Sequence, residues 1–369
     1  MIKREHSSSS KLDVVSVSKP GFTKYHLTAH PSEGRPSLMF ETILDFVREK
    51  NAKIITQYVF GGCELHEQYI PEIKRMNGNI TWPITWIQGD GASGTSLTGT
   101  QACAISGASV QSVRLDGHAV GSCFEDKEAR YCLLGDILPT DISRTKEEQA
   151  REIFERIEAA LRIADMDFSD VARTWLYIDS ILSWYDEFNK ARSDFFNDRG
   201  VFDAVVPAST GIGVSNPAGA ALVADVLAIK SKNGHFNISA VSSPLQCSAI
   251  DYKSSFSRGV EITVPDYRQL LISGTASIAP GGETIHIGDT KKQIACTMEV
   301  VDAILKSRDM GWQNTTRTIA YFKNIEDVPL LEEYRKEKGL PALSFAIAHA
   351  DICRDDLLFE IEIDAISDR

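Results

Sequence analysis

Residues 341–366 read PALSFAIAHADICRDDLLFEIEIDAI, and the second half of that stretch decides the fold. From Leu357 to Ile366 apolar and acidic side chains alternate, the period-two signature of a strand with one apolar face. Leu358, Ile361 and Ile363 are the expected core-forming side chains, and Glu360 and Glu362, two positions apart, share the opposite face. Taken alone, such a strand is a sheet edge with its acids in water. A carboxylate beside a cleft has another use, because desolvation raises its pKa and lets it hold a proton for donation. The sequence upstream bears on that choice.

Working back from the closing strand, the order is strand LLISGTASI (270–278), a helix from Lys291 to about Met310, strand TRTIAYFK (316–323) and helix VPLLEEYRKEK (328–338). The middle of the chain repeats it. ARYCLLGDILP (129–139) is followed by an amphipathic helix from Thr145 to about Ala164, then VARTWLYI (171–178) and WYDEFNKARSDFF (184–196); PASTGIG (207–213) precedes the closing strand ALVADVLAI (221–229). A fainter copy comes first: FTKYHLTAH (22–30), helix SLMFETILDFVREKN (37–51), KIITQYVF (53–60), helix CELHEQYIPEIKRM (63–76), then WPITWI and LTGTQACAI. An internal repeat of strands and two helices predicts an α+β protein in which each unit packs its sheet on its helices. The expected division is a disordered lead at 1–10, a degenerate unit at 11–110, a middle unit at 111–232 and a C-terminal unit carrying the site at 240–369. The Ser/Gly-rich stretches 106–117 and 231–247 read as linkers.

The net charge of −12 argues against nucleic acid held by bulk electrostatics, while leaving room for a small anionic molecule in a local basic pocket. Seven scattered cysteines without metal-ligand spacing point to reduced thiols in a cytoplasmic protein. No apolar run has membrane-spanning length, so no membrane partner is expected, and MIKREHSSSSK lacks the apolar segment of a signal peptide. The histidines are too dispersed for a metal. GDGASG and PGGE are turn signals outside the strand–helix context of a nucleotide loop, so no cofactor is expected. Ser209 in PASTG lacks a nucleophile elbow.

The order SFSRGV, ISGTASI, HIGDTKKQI, helix, GWQNTTRTIAYFK, second helix, Pro-Ala turn and EIEIDAI resembles the Rid (YjgF/RidA) superfamily. That resemblance implies a chorismate-mutase-like fold with small-molecule clefts between neighbouring units. Three copies in one chain imply an intrachain pseudo-trimer, hence a monomer or loose dimer. The family's carboxylate-gripping arginine is replaced by Thr85, Ser209 and Leu343. Its closing-strand glutamate matches Glu360, with Gly99 and Val223 in the other copies, and its aromatic near the unit's start matches Phe256.

A narrower resemblance rests on CRDDLLFEIE together with SGTAS and a following H-x-GD. These resemble the chorismatases, tandem Rid-like enzymes that remove the enolpyruvyl group of chorismate and release pyruvate. The resemblance implies Glu360 as the proton donor to the enol-ether methylene. It also implies Cys353, seven residues upstream, as the cysteine that assists in the subgroup giving 3-hydroxybenzoate. Protonating a vinyl-ether carbon requires a neutral carboxylic acid, and a nearby Glu362 charge would help keep Glu360 protonated. Chorismate carries two carboxylates, for which arginine forks are suited; Arg354, Arg258, Arg173 and Arg192 are the candidates. Phe256 and the Gly274, Thr275 and Ala276 segment complete the expected substrate-binding set. Two alternatives stand beside this reading: a Rid-type enamine or imine deaminase or hydrolase, and a non-catalytic Rid protein that binds a small ligand.

Overall fold

A computed structural model describes residues 2–9, 11–19, 21–89, 97–252 and 254–369. The first unit contains β1 (Lys3–Ser8), β2 (Leu12–Lys19), β3 (Phe22–Ala29), α1 (Leu38–Glu49), β4 (Lys53–Gly61), α2 (His66–Asn77), β5 (Ile84–Ile87) and β6 (Leu97–Ser106). The second contains β7 (Gln111–Leu115), β8 (His118–Glu125), β9 (Ala129–Ile137), α3 (Lys146–Ile163), β10 (Val171–Ile178), α4 (Tyr185–Asp198), β11 (Ala208–Gly213) and β12 (Leu222–Ser231). The third contains β13 (Asn237–Val241), β14 (Gly259–Thr263), β15 (Tyr267–Ala276), α5 (Thr290–Lys306), β16 (Thr315–Phe322), α6 (Val328–Glu337), β17 (Phe345–His349) and β18 (Phe359–Asp368).

Each unit forms one six-stranded mixed sheet, in the orders β1-β2-β3-β6-β4-β5, β11-β10-β12-β9-β8-β7 and β13-β14-β15-β18-β16-β17. Local chemistry accounts for the elements. Thr145 caps α3 in a reciprocal capping box with Glu148, and the helix buries Ala150, Ile153, Phe154, Ile157 and Leu161 at the spacing of one helical face. The repeats share fine detail as well. The central strand pair shows the same irregularity at Ile54/Thr56, Val171/Arg173 and Thr315/Arg317. Counting on from it, Gly99, Val223 and Glu360 pair with Phe60, Tyr177 and Tyr321, so they occupy equivalent positions.

The three units close a ring, with β5 meeting β9, β11 meeting β15 and β17 meeting β6. A shared core of Tyr58, Phe60, Trp175, Tyr177, Ile319 and Tyr321 fills the space between the sheets. Separate cores lie under each unit's helices. The fold is therefore α+β and pseudo-trimeric within one chain. Among the described residues no helix is long and apolar enough to cross a membrane.

Three expectations need correction. Residues 3–8, read as a disordered lead, form β1, which pairs with β2; Ile2 N–H donates to Asp368 Oδ1 at 2.7 Å and Arg4 Nε to Thr315 O at 2.9 Å. Backbone pairing and these bonds to the third unit order a stretch that has no apolar pattern of its own. The two expected linkers carry strands β7 and β13, the outer members of their sheets. The closing strand β18 is no edge, since it lies between β15 and β16. Phe359, Ile361, Ile363 and Ala365 face its unit's helix-covered core, whereas Leu358 precedes the strand and is only half-buried. Its acidic face is buried too.

Candidate active site

A cleft of about 960 Å³ opens between the middle and C-terminal units. α4 and β11 form one wall; the end of β15, the start of β18 and residues 353–355 form the other. Glu360 lines this cleft while only 5% exposed. Burial pushes its carboxyl up to about 8, the nearby Glu362 charge adds to the rise, and Arg173 and Arg258 oppose it. The side chain has room only because residue 274 is glycine: a Cβ there would overlap Glu360 Oε1 and come within 3.2 Å of Thr210 Cγ2.

Glu362 plays a different part from its neighbour. It accepts hydrogen bonds from Arg317 Nη1 at 2.6 Å, Arg173 Nη2 at 3.1 Å, Trp175 Nε1 at 2.9 Å and Thr210 Oγ1 at 2.5 Å. Burial works to raise its pKa, but Arg317, Arg173 and the hydrogen bonds outweigh that and hold it below the usual carboxylate range. One strand face thus presents a proton-holding acid followed by an anion.

Of the residues singled out from sequence, Glu360, Cys353, Arg354 and Arg258 line the cleft. Arg192, Phe256, Gly274 and Ala276 line it as well. Arg192 Nη2 donates to Asn189 Oδ1 at 2.6 Å, Arg258 Nε to Cys247 O at 3.0 Å, and Arg354 Nη1 to Gly282 O at 2.7 Å. The Arg258 guanidinium also lies 5.6 Å from the Phe256 ring centre. Burial, with the Glu360 charge second, pushes the Cys353 thiol up to about 12, so it stays protonated.

Two candidates fall elsewhere. Arg173 is fully buried behind the cleft, its Nη2 bound to Glu362 and to Thr210 Oγ1 at 2.7 Å, because β10 directs it to the ring interior. Thr275 is turned away from the cleft by strand alternation, and its hydroxyl donates to Ser273 O at 2.8 Å. The arginine-position alignment shifts as well: β-register places Ile84, not Thr85, opposite Gln57 and Phe345, not Leu343, opposite Thr318, as Ser209 stands opposite Thr174.

Sequence reasoning passed over Tyr185, Asn189 and Lys190, which α4 brings to the cleft. Burial, followed by the neighbouring Cys353, raises the Tyr185 phenol, which is hydrogen-bonded with Ser254 and lies near Glu360. The Tyr185, Asn189 and Arg192 spacing of three to four residues was the available signal, since it sets them on one helix face. Together the cleft offers an acid that is neutral near pH 7, surrounded by guanidinium groups and aromatic faces. Such a set can bind a small anion and protonate it.

No family model matches the chain. A chorismatase from Streptomyces rapamycinicus is 28% identical over 225 residues, covering 54% of this chain and 65% of that protein. A 3-hydroxybenzoate synthase from Streptomyces hygroscopicus is 29% identical over 228 residues, covering 54% of this chain and 64% of that protein. The chain is similar to the chorismatases. The alignments span just under two thirds of the length of these relatives. In three dimensions a chorismatase crystal structure superimposes with a TM-score of 0.66 at 17% identity, covering 92% of this chain and 98% of that one. The ring of three units is therefore a chorismatase fold.

Proposed function

We propose that this cleft removes the enolpyruvyl group of chorismate, or of a closely related small cyclic carboxylate, with release of pyruvate. The observation that carries the reading is Glu360, a carboxyl held protonated by burial at the edge of a guanidinium-lined cleft. Arg192, Arg258 and Arg354 are positioned to take the substrate's two carboxylates. Glu360 then gives its proton to the vinyl CH₂ carbon, forming a methyl group and an oxocarbenium ion and leaving Glu360 as the carboxylate. If water adds to the oxocarbenium carbon, the bond from that carbon to the ring oxygen breaks, and pyruvate leaves a ring diol behind. If instead the neighbouring ring hydroxyl oxygen displaces pyruvate from the ring carbon, it gives its proton to Glu360. The resulting epoxide then opens with loss of the hydrogen on that ring carbon to give the hydroxybenzoate. Loss of the elements of pyruvate alone gives 3-hydroxybenzoate, whereas addition of one water gives a dihydroxycyclohexadiene acid.

Cys353, as a neutral thiol beside Glu360, favours the first outcome by filling space a water would need and orienting the ring. The similarity to a 3-hydroxybenzoate synthase points the same way. A deaminase acting on an amino-acid imine would want an arginine where Ile84, Ser209 and Phe345 stand, and is the weaker reading.

The test is incubation with chorismate, following pyruvate and separating the ring product by chromatography. Because the protonated form of Glu360 is the working form, kcat should hold below pH 8 and fall as pH rises through about 8. Absence of pyruvate at any pH would sink the proposal; a dihydroxy acid in place of 3-hydroxybenzoate would sink only the role given to Cys353.

Gly274→Ala probes the geometry. The added methyl should push the Glu360 carboxyl aside rather than the backbone, since the overlapping atom is the end of a side chain. A displacement of that order should slow turnover about 100-fold with little change in Tm. Turnover at the native rate would mean that the carboxyl's place is immaterial.

A further inference from the structure

Thr210 belongs to β11 of the middle unit, yet its hydroxyl sits at the centre of the C-terminal unit's acid site. It donates to Glu362 Oε2 at 2.5 Å and accepts from Arg173 Nη2 at 2.7 Å and from Gly274 N–H at 3.1 Å. A hydroxyl has one donor and two acceptor sites, so this one is saturated. The two donors it occupies are those that border Glu360. Gly274 is the residue over which the Glu360 carboxyl lies, and Arg173 is one of the two cations that favour its charged form.

We propose that Thr210 is a positioning residue for the reaction, which keeps Glu360 protonated by holding the Gly274 N–H and the Arg173 guanidinium away from it. The inference rests on reading Glu360 as the acid. Three effects of losing the hydroxyl have the same sign. A released Gly274 N–H could donate to the Glu360 carboxylate, a released Arg173 could turn toward it, and Glu362 would lose a hydrogen bond that favours its own charge. Each stabilises the Glu360 anion or weakens the repulsion acting on it.

The groups that face Glu360 come from every surrounding element. They are Glu362 on its own strand, Arg173 on β10, Tyr321 on β16, Tyr185 on α4, Arg258 before β14 and Cys353 on the preceding turn. A comparison within the ring separates function from architecture. At the junction of the first and middle units Thr85 donates to Asp225 at 2.8 Å and accepts from Asp136 N–H at 3.0 Å. There Val223 stands in the position of Glu360, and Thr56 in that of Arg173. The hydroxyl–carboxylate link is thus part of the ring. The arginine bond to Thr210 is found where the acid is.

The test is Thr210→Val, which removes the hydroxyl and keeps the shape, with Thr210→Ala read the same way if the valine does not fold. One hydrogen bond to a charged group is worth about tenfold in an equilibrium, so the alkaline limb of kcat should move about one pH unit toward acid. Activity should then fall about twofold at pH 7 and about tenfold at pH 9, and Thr210→Ser, with its hydroxyl restored, should recover the native profile. Infrared difference spectra against Glu360→Gln report the Glu360 carboxyl without any substrate, and its titration should move by the same amount. Loss of activity with the titration unmoved would assign Thr210 a merely structural role and overturn the proposal, as would no change at all. A shifted titration in a protein that releases no pyruvate would keep Thr210's role and reject the chorismate reading instead.

Discussion

Glu360→Gln should release pyruvate from chorismate about 10²- to 10⁴-fold more slowly than the native chain, with little change in Tm. The amide keeps the size of the side chain and fits beside Gly274, but it has no proton to give to carbon. Stability should hold because a protonated Glu360 is already uncharged, so the exchange removes no ion pair. The alkaline limb near pH 8 should disappear along with the fast reaction. Pyruvate formation at the native rate would return β18 to the status of a structural strand.

Glu362→Gln should have the opposite profile, a collapse of stability. Its position two residues away suggests a conservative exchange of a neighbouring charge, but the structure makes it the anchor of a buried network. Arg317, Arg173, Trp175 and Thr210 all donate to its two oxygens, and Glu362 is fully buried while Arg317 is only 7% exposed. A glutamine offers one oxygen and turns an NH₂ toward donors, leaving two guanidinium groups without their anion. Breaking a buried pair in this way costs about 3–5 kcal/mol, expected as a marked drop in Tm or in the urea midpoint. A variant as stable as the native chain would show that the arginines find other anions.

The repeats were legible because their strands and helices carry distinct periods in the same order. WYDEFNKARSDFF, for example, reads as a helix, and α4 covers Tyr185–Asp198. What escaped was set by partners distant in sequence. KREHSS has no apolar alternation and becomes β1 through backbone pairing, while β7 and β13 share the Ser/Gly-rich composition of linkers. Glu360 and Glu362 look alike in sequence, but burial leaves the first a neutral acid. Arg317 of their own unit, joined by Arg173, Trp175 and Thr210 of the middle unit packed over their face, makes the second a paired anion. Arg173 and Arg192 were equivalent as candidates. Strand β10 sends the first into the ring and helix α4 brings the second to the cleft.

The central claim is that a proton is delivered to the enolpyruvyl methylene, and the isotopic composition of the pyruvate tests it most directly. Chorismate is incubated with the native chain in D₂O, and the pyruvate is trapped as it forms by reduction to lactate and weighed by mass spectrometry. Glu360 exchanges its proton with solvent, so the account predicts one deuterium in the methyl group, formed at a rate that Glu360→Gln abolishes. Pyruvate without methyl deuterium, or labelled pyruvate formed equally fast by the variant, would contradict it.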